Sequence, residues 1–130
     1  MRILYDSKAL CFKDPFGTLV PHQSCTLHIH IPAAVQATEA ECILCREDGS
    51  PAGTAALRFL RQDGPYHIFR GSLQLEETGL YFYYFRIFTP SGSFRLFKQG
   101  DDTNMEAGDL WQVSCVPAAH TVPSERKPTV

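Results

Sequence analysis

The clearest pattern of apolar residues lies in segment 80–88, which reads Leu-Tyr-Phe-Tyr-Tyr-Phe-Arg-Ile-Phe and is followed by Thr-Pro-Ser-Gly. Aromatic residues favour strands and the Pro-Ser-Gly sequence favours a turn, so the segment predicts a strand that enters a hairpin. Successive side chains of a strand alternate between its two faces. Here both faces are apolar, because Arg86 is the only charged residue. We therefore expect cover on both faces, from the core on one side and from another domain or a ligand on the other.

Similar strand patterns recur along the chain, with turn residues between them and no sustained helical period. Segment 25–31 alternates cleanly between apolar and polar residues, and Pro32 ends it. The predicted strands are residues 3–6, 25–31, 41–47, 55–61, 66–75, 80–88, 93–98 and 111–116, with a polar loop at 99–109. This spacing predicts an all-β protein, an antiparallel β-sandwich of about seven to nine strands.

One short motif refines the fold prediction. The segment Glu77-x-Gly79-x-Tyr81-x-Tyr83 resembles the tyrosine corner of immunoglobulin-like sandwiches, in which a Tyr opens a late strand. It predicts that the Tyr81 ring is in the core and that its hydroxyl bonds to backbone near the preceding turn. Since alternate residues of a strand share a face, four side chains are then predicted to lie in the core: Tyr81, Tyr83, Phe85 and Ile87. The outer face then presents Phe82, Tyr84 and Phe88, which we predict to form an interface with another domain or a partner subunit.

Length and charge restrict the function classes. A chain of 130 residues with a formal charge of −2 is typical of one domain, which we assign to residues 1–116. Residues 117–130 hold three prolines and no apolar period, which indicates a linker. No basic run points to a nucleic-acid partner, and the apolar runs are too short to span a bilayer. The first residues lack the apolar segment of a secretory signal, so we expect a cytoplasmic protein.

The five cysteines are Cys11, Cys25, Cys42, Cys45 and Cys115. An odd number in a chain without a secretory signal favours reduced thiols. Cys42 and Cys45 form a CxxC, but in an extended strand their sulfurs point to opposite faces, which suits neither a zinc site nor a redox pair. We expect structural thiols, with metal binding or redox chemistry as the alternative.

No catalytic motif and no placed pair of acids is evident, so we assign no catalytic residue, no metal ligand and no cofactor. The carboxylates cluster beside turns, where solvated charges are the simpler interpretation. His28 and His30 share one face of a strand, but no third metal ligand is identifiable. Segment 101–104 offers oxygen ligands for calcium without the spacing of an EF-hand loop.

Two aromatic residues are candidates for carbohydrate binding, because a flat ring stacks on the apolar face of a pyranose. Trp111, the single tryptophan, opens a predicted strand after Gly108-Asp109. Tyr66 follows a turn formed by residues 63–65. Both are predicted at the edge of the sandwich, and the alternative for each is a position in the core or between domains.

Several short motifs occur in the order found in one known family. They are Tyr5-Asp6-Ser7, Asp14-Pro15-Phe16-Gly17, the alternating strand at 27–31, Gly79-Leu80-Tyr81-Phe82-Tyr83-Tyr84-Phe85 and Trp111-Gln112-Val113. Together they resemble the N-terminal β-sandwich domain of α-amylase-family glycosidases (glycoside hydrolase family 13), of the neopullulanase, cyclomaltodextrinase and maltogenic-amylase type. The resemblance covers about residues 5–116.

The resemblance implies a non-catalytic accessory domain of an α-glucan-hydrolysing enzyme. The catalytic residues of that family lie in a (β/α) barrel that follows this domain, so none of them matches a position here. The implied partners are that barrel, a second copy of the chain in a dimer, and an α-glucan or maltodextrin. Two other functions stay open: an independent carbohydrate-binding module, and an interaction domain of an unrelated multidomain protein.

Overall fold

The structure, a computed structural model, describes residues 2–100, 102–105 and 107–118. These residues form nine strands and one turn of 3-10 helix at Ala33–Val35. The strands are β1 (Lys13–Asp14), β2 (Cys25–Pro32), β3 (Glu39–Arg46), β4 (Pro51–Asp63), β5 (Tyr66–Leu73), β6 (Gly79–Thr89), β7 (Gly92–Gln99), β8 (Asp102–Asn104) and β9 (Trp111–Cys115). All pairs of these strands are antiparallel, so the predicted all-β fold is confirmed.

The predicted and observed elements differ in several places, and β1 (Lys13–Asp14) is not among the predicted strands. The predicted strand 3–6 contributes a single bridge, in which Leu4 pairs with His30. β4 is longer than predicted at both ends. The predicted loop 99–109 contains β8, whose sequence Asp-Thr-Asn has no apolar alternation to reveal it and which pairs with the end of β7. The predicted linker 117–130 lies outside the described residues except for its first two positions.

β4 is shared between the two layers of the sandwich. Its first half, up to Leu57, pairs with β3, and its second half, from Arg58, pairs with β5. We call sheet A the layer formed by β1, β2, β5 and the second half of β4. Sheet B is formed by the first half of β4 with β3, β6, β7 and β9. A register shift between Phe59 and Arg61, the sign of a β-bulge, allows so long a strand to bend from one layer into the other.

The core lies between the two sheets and is filled by alternate residues of each strand. In β2 the inner residues are fully buried and the polar residues between them are half-buried, as the alternation predicts. In β6 the buried residues are Tyr81, Tyr83, Phe85 and Ile87. The predicted phase of β6 is therefore confirmed. Each such side chain stabilises the fold by about 1.5–3 kcal/mol relative to an exposed position.

Tyr81 forms the tyrosine corner that the sequence predicts. Its hydroxyl donates a hydrogen bond to the carbonyl of Glu77 at 2.9 Å and accepts one from the N–H of the same residue at 3.3 Å. The Arg46 guanidinium lies 4.2 Å from the centroid of the ring. The hydroxyl thus ties the start of β6 to the turn before it, while the ring is buried.

Tyr5, from the segment before β1, joins the core of sheet B through its ring and its hydroxyl. The Tyr5 and Tyr83 hydroxyl oxygens are 2.6 Å apart in a buried hydrogen bond. The ring of Trp111 lies edge-on to Tyr5, with 5.0 Å between centroids, and stacks on Tyr83 at 5.9 Å. Trp111 is only 2% exposed. A ring buried so completely offers no face to a pyranose, so the structure favours a core position over a sugar platform.

A buried lysine holds the turn that contains Pro15, Phe16 and Gly17. Lys13 is 1% exposed, and its ammonium donates hydrogen bonds to the carbonyls of Pro15 at 3.1 Å and Gly17 at 3.2 Å. Burial lowers the pKa of Lys13. The two carbonyls compensate part of the loss of hydration that burial imposes on the charged group.

All five cysteines are free, as predicted. Cys42 is buried in the core, and burial raises the pKa of its thiol well above the usual range. Cys45 is half-buried and lies on the other face of β3, so the two sulfurs of the CxxC do not share a face. Cys11 is exposed.

Replacement of Tyr81 should test the assigned phase of β6. We expect Tyr81→Ala to lower the free energy of unfolding by about 3–5 kcal/mol, because it removes a large buried ring. Tyr81→Phe keeps the ring and should cost about 1 kcal/mol for the lost hydrogen bond. Urea unfolding measures both. An unchanged midpoint for Tyr81→Ala would show that the strand phase is inverted.

Thiol labelling should test the state of the cysteines. In denaturant a disulfide reagent should find five thiols per chain. In the folded protein Cys11 should react first and Cys42 last, because Cys42 is buried and its reactive thiolate is disfavoured. Three or fewer thiols in freshly prepared, denatured protein, or equal rates for Cys11 and Cys42, would contradict this assignment.

Candidate functional site

The outer face of sheet B is the candidate functional surface. It is built around the residues of β6 that point away from the core. These are Leu80, Phe82, Tyr84, Arg86 and Phe88, and all are half-buried. The inner face of the same strand is filled by the core. On the outer face, neighbouring side chains of the sheet cover the rings only in part.

Tyr84 lies at the centre of this face. The β3–β6 register places it opposite Ile43, a half-buried residue of β3. On the other side its ring stacks on Phe97 of β7, with 5.6 Å between centroids and 25° between planes. The Arg95 guanidinium lies 5.7 Å from the Phe97 centroid. These cross-strand contacts fix the rings in place, each pair contributing about 0.2–1 kcal/mol.

Phe82 lies two residues before Tyr84 on β6, and it lines a pocket. It pairs with Cys45 of β3 and Gln112 of β9. The pocket has a volume of about 470 Å³ and is open on one side. It is lined by Ser7, Phe82, Lys98, Asp109, Leu110, Trp111 and Gln112. An aromatic side chain is thus set among a cation, a carboxylate, an amide and a hydroxyl, and such polar groups beside an apolar ring can orient a small ligand.

Phe88 lies apart from the other two predicted interface residues. It pairs with Glu39 of β3 and Ser93 of β7. A charged row, in which Arg86 faces Glu41 on one side and Arg95 on the other, separates it from Tyr84. Four residues of strand also place Phe88 about 13 Å along β6 from Tyr84. The structure therefore brings Phe82 and Tyr84 into one apolar surface and leaves Phe88 outside it.

We call this set of residues the aromatic surface: Ile43, Cys45, Phe82, Tyr84 and Phe97. Charged and polar residues border it: Glu41, Arg86, Arg95 and Gln112 through strand pairing, and Lys98 through the pocket at Phe82. An apolar centre within a polar rim is typical of protein interfaces. The partial exposure of its rings fits a surface that a second domain completes.

Three residues of the aromatic surface, Ile43, Cys45 and Phe97, do not belong to the surface that the sequence predicts. Phe97 could have been found, because the turn that pairs Thr89 with Gly92 sets a register that carries Phe97 to the position opposite Tyr84. Ile43 could not, because its position depends on the pairing of β3 with β6, which are separated in the sequence by two other strands.

Tyr66, the second predicted sugar-binding residue, lies on the other sheet. It opens β5, is half-buried and has its ring centroid 6.2 Å from that of His30. It pairs with Pro32 of β2 and Asp63 of β4. The structure does not bring Tyr66 and Trp111 together, so they cannot form one binding site. Tyr66 alone stays a prediction.

The described residues contain no group of three or more metal-ligating side chains. His28 and His30 share the outer face of β2 as predicted, without a third ligand beside them in the part of the chain that the structure describes. The calcium candidate at 101–104 includes Asp101, which is outside the described residues.

Comparisons with protein-family models and with curated proteins gave no match to this chain. Within the described residues, no helix has the length and apolar character needed to cross a membrane.

Paired substitutions should separate the two faces of β6. We expect Phe82→Ser and Tyr84→Thr each to cost less than about 2 kcal/mol of unfolding free energy, because the replaced rings are half-buried and leave no core cavity. Tyr81→Ala, on the buried face of the same strand, is the matched control. If Phe82→Ser or Tyr84→Thr unfolds the chain as severely as Tyr81→Ala, both faces belong to the core and the aromatic surface is not free for a partner.

Proposed function

We propose that this chain is a non-catalytic accessory β-sandwich domain of an α-amylase-family glycosidase that hydrolyses α-glucans. In this proposal the aromatic surface packs on the catalytic (β/α) barrel of the same parent protein. The observation that carries the proposal is the central strand β6, whose inner face is filled by the core while its outer face presents half-buried rings. An apolar patch of this kind on a protein surface usually marks a binding site for a protein or a ligand.

The motifs that carry the family resemblance have structural positions that suit this proposal. The turn at 14–17 is held by the buried ammonium of Lys13. The aromatic segment forms β6, the strand that pairs with three others. The segment that begins at Trp111 forms β9, which lies beside β6 and lines the pocket at Phe82. The aromatic segment and the segment at Trp111 thus lie side by side in sheet B, whereas the turn at 14–17 and the alternating strand at 27–31 belong to sheet A.

The proposed compartment is the cytoplasm. Five cysteines without a disulfide are compatible with a reducing environment, and three of them are buried.

A second candidate function, direct contact with the glucan, is favoured by the pocket beside Phe82. Its polar lining residues Lys98, Asp109 and Gln112 could bond to sugar hydroxyls while the Phe82 ring contacts an apolar face. This role is compatible with the first, because an accessory domain at the mouth of a barrel can touch the substrate.

The parent coding sequence and a reconstitution experiment test the main proposal. We expect the reading frame beyond residue 130 to encode a (β/α) barrel. That barrel, expressed separately, should bind this chain, and the Phe82→Ser/Tyr84→Thr variant should bind at least about tenfold more weakly, a loss of about 1.4 kcal/mol. Phe59→Ser, which replaces a 53% exposed ring on β4, is the matched control and should bind as the unchanged chain does.

Two results would contradict the proposal in different ways. A reading frame that encodes no barrel would refute the assignment to an α-glucan hydrolase. A barrel that binds the variant and the unchanged chain equally would refute the aromatic surface as the docking face.

Titration with maltoheptaose tests the second candidate. Direct contact predicts shifts in the amide resonances of β9 and of residues 109–110, and no such shifts with cellohexaose. The isolated chain should release no sugar from a chromogenic maltoside. Turnover above background would show that the domain carries chemistry of its own.

A further inference from the structure

A second candidate surface lies on the other layer of the sandwich, the outer face of sheet A. Two rows of residues cross its three long strands. In the first row His28 of β2 faces Arg70 of β5, which faces Arg58 of β4. In the second row His30 of β2 faces Ile68 of β5, which faces Arg61 of β4. We call the three arginines and two histidines of these rows the arginine face.

The positive charges of this face have no partners within the described part of the molecule. Among the described residues, Arg58, Arg61 and Arg70 form no ion pair and no side-chain hydrogen bond, whereas Arg2 and Arg46 each form an ion pair. All three arginines are exposed. Asp63 is the only acidic residue on β2, β4 and β5, and it lies one row beyond Arg61, opposite Tyr66.

His28 lies within the same excess of positive charge. Its Nδ1 atom is buried and has no hydrogen-bond partner among the described residues. Burial lowers the pKa of His28, and the positive charges of Arg70 and Arg61 lower it further. For His30, burial and the neighbouring His28 lower the pKa, while Asp63 opposes the shift.

This arrangement is unfavourable for the isolated fold. Like charges directly opposite on neighbouring strands are destabilising, and Arg58 and Arg70 are opposite each other. Packing on an apolar neighbour gives a reason for one of the arginines. Ile68 is 1% exposed although it lies on the outer face and outside the core cluster, so the stem of its neighbour Arg61 has an apolar side chain to cover. The first row contains no such residue.

The composition of the face indicates the chemistry of its partner. The three strands carry arginine but no lysine, and Tyr66 lies at the end of the face. Enrichment in arginine and aromatic residues with depletion of lysine is typical of protein interfaces. Guanidinium groups also pair with carboxylates in a bidentate geometry that lysine cannot provide. With a net charge of −2 and a sequence pI near 6.2, the chain does not have the overall electrostatic footprint of a nucleic-acid binder.

We propose that the arginine face is a docking surface for a carboxylate-rich surface of a partner protein, with Arg58 and Arg70 as the residues that pair with its carboxylates. The proposal is independent of the glycosidase assignment and of the aromatic surface, because it concerns the other sheet. Carboxylates placed on the first row would neutralise the charges that oppose each other in the free chain.

A labelled hexaglutamate peptide serves as the probe, with binding followed by fluorescence anisotropy at low salt. We expect Arg58→Gln/Arg70→Gln to weaken binding by at least about tenfold, because two charge-assisted pairs are lost. Arg2→Gln removes a charge from an exposed ion pair elsewhere on the molecule and should change binding by less than about twofold. Arg70→Gln should also raise the melting temperature of the free chain, since it removes a cross-strand repulsion.

Each of the following results would overturn the proposal. The peptide fails to bind, or Arg2→Gln weakens binding as much as the double variant, which would show an effect of net charge alone. A DNA duplex or phosphatidylserine vesicles bind more tightly than the peptide and lose affinity in the same double variant. Arg70→Gln lowers the melting temperature and leaves peptide binding unchanged, which would show that the arginine only packs on the sheet.

Discussion

The architecture depends on the hydrogen bonding of β6. Along its length this strand pairs with β3 on one side, and on the other side with β9 near its start and with β7 near its end. Sheet B therefore has no continuous structure without it. The strand must be long enough to hold three partners, and its residues must suit a position with a sheet neighbour on each side. Aromatic side chains meet this requirement because they fill the spaces between strands on both faces of the sheet.

Because β6 is central, its two faces serve different purposes. On the inner face the ring of Tyr83 lies among Tyr5, Phe85 and Trp111, and its hydroxyl is satisfied by that of Tyr5. Burial raises the pKa of both tyrosines above the ordinary value, so the hydrogen bond joins two neutral hydroxyls. On the outer face the same strand presents Phe82 and Tyr84 on a rigid support. The arginine face on sheet A adds a second surface of different chemistry, and the two sheets could contact different partners.

Local sequence pattern predicted much of this structure, and the reason is physical. Alternation in β2 reflects burial of one face, whereas in β6, where both faces are apolar, the tyrosine-corner motif sets the phase of Tyr81 and Tyr83. The tyrosine corner is also local, since Tyr81 and Glu77 are four residues apart. Contacts between residues far apart in the sequence could not be predicted from local patterns. The partner of Tyr83 is 78 residues away, the burial of Trp111 depends on Tyr5, and β8 has no apolar pattern.

The arginine face escaped sequence analysis for the same reason. Arg58, Arg70 and His28 are scattered in the chain and become neighbours only through the registers of β4 with β5 and of β5 with β2. A register shift of one residue would turn any of them to the other face. The predicted alternation of β2 placed the histidines outward but gave no information on what lies opposite them.

Native-state amide hydrogen exchange tests most directly the claim that β6 holds the fold together. Amides of β6 that bond to β3 should exchange only through global unfolding, with the free energy obtained from urea denaturation. The amides of β1 and β8, at the two ends of the strand order, should exchange through local openings whose free energy is lower than that of global unfolding. If β6 instead opens at a lower free energy than β2 and β5, the fold is held together by sheet A and the central role of β6 is refuted.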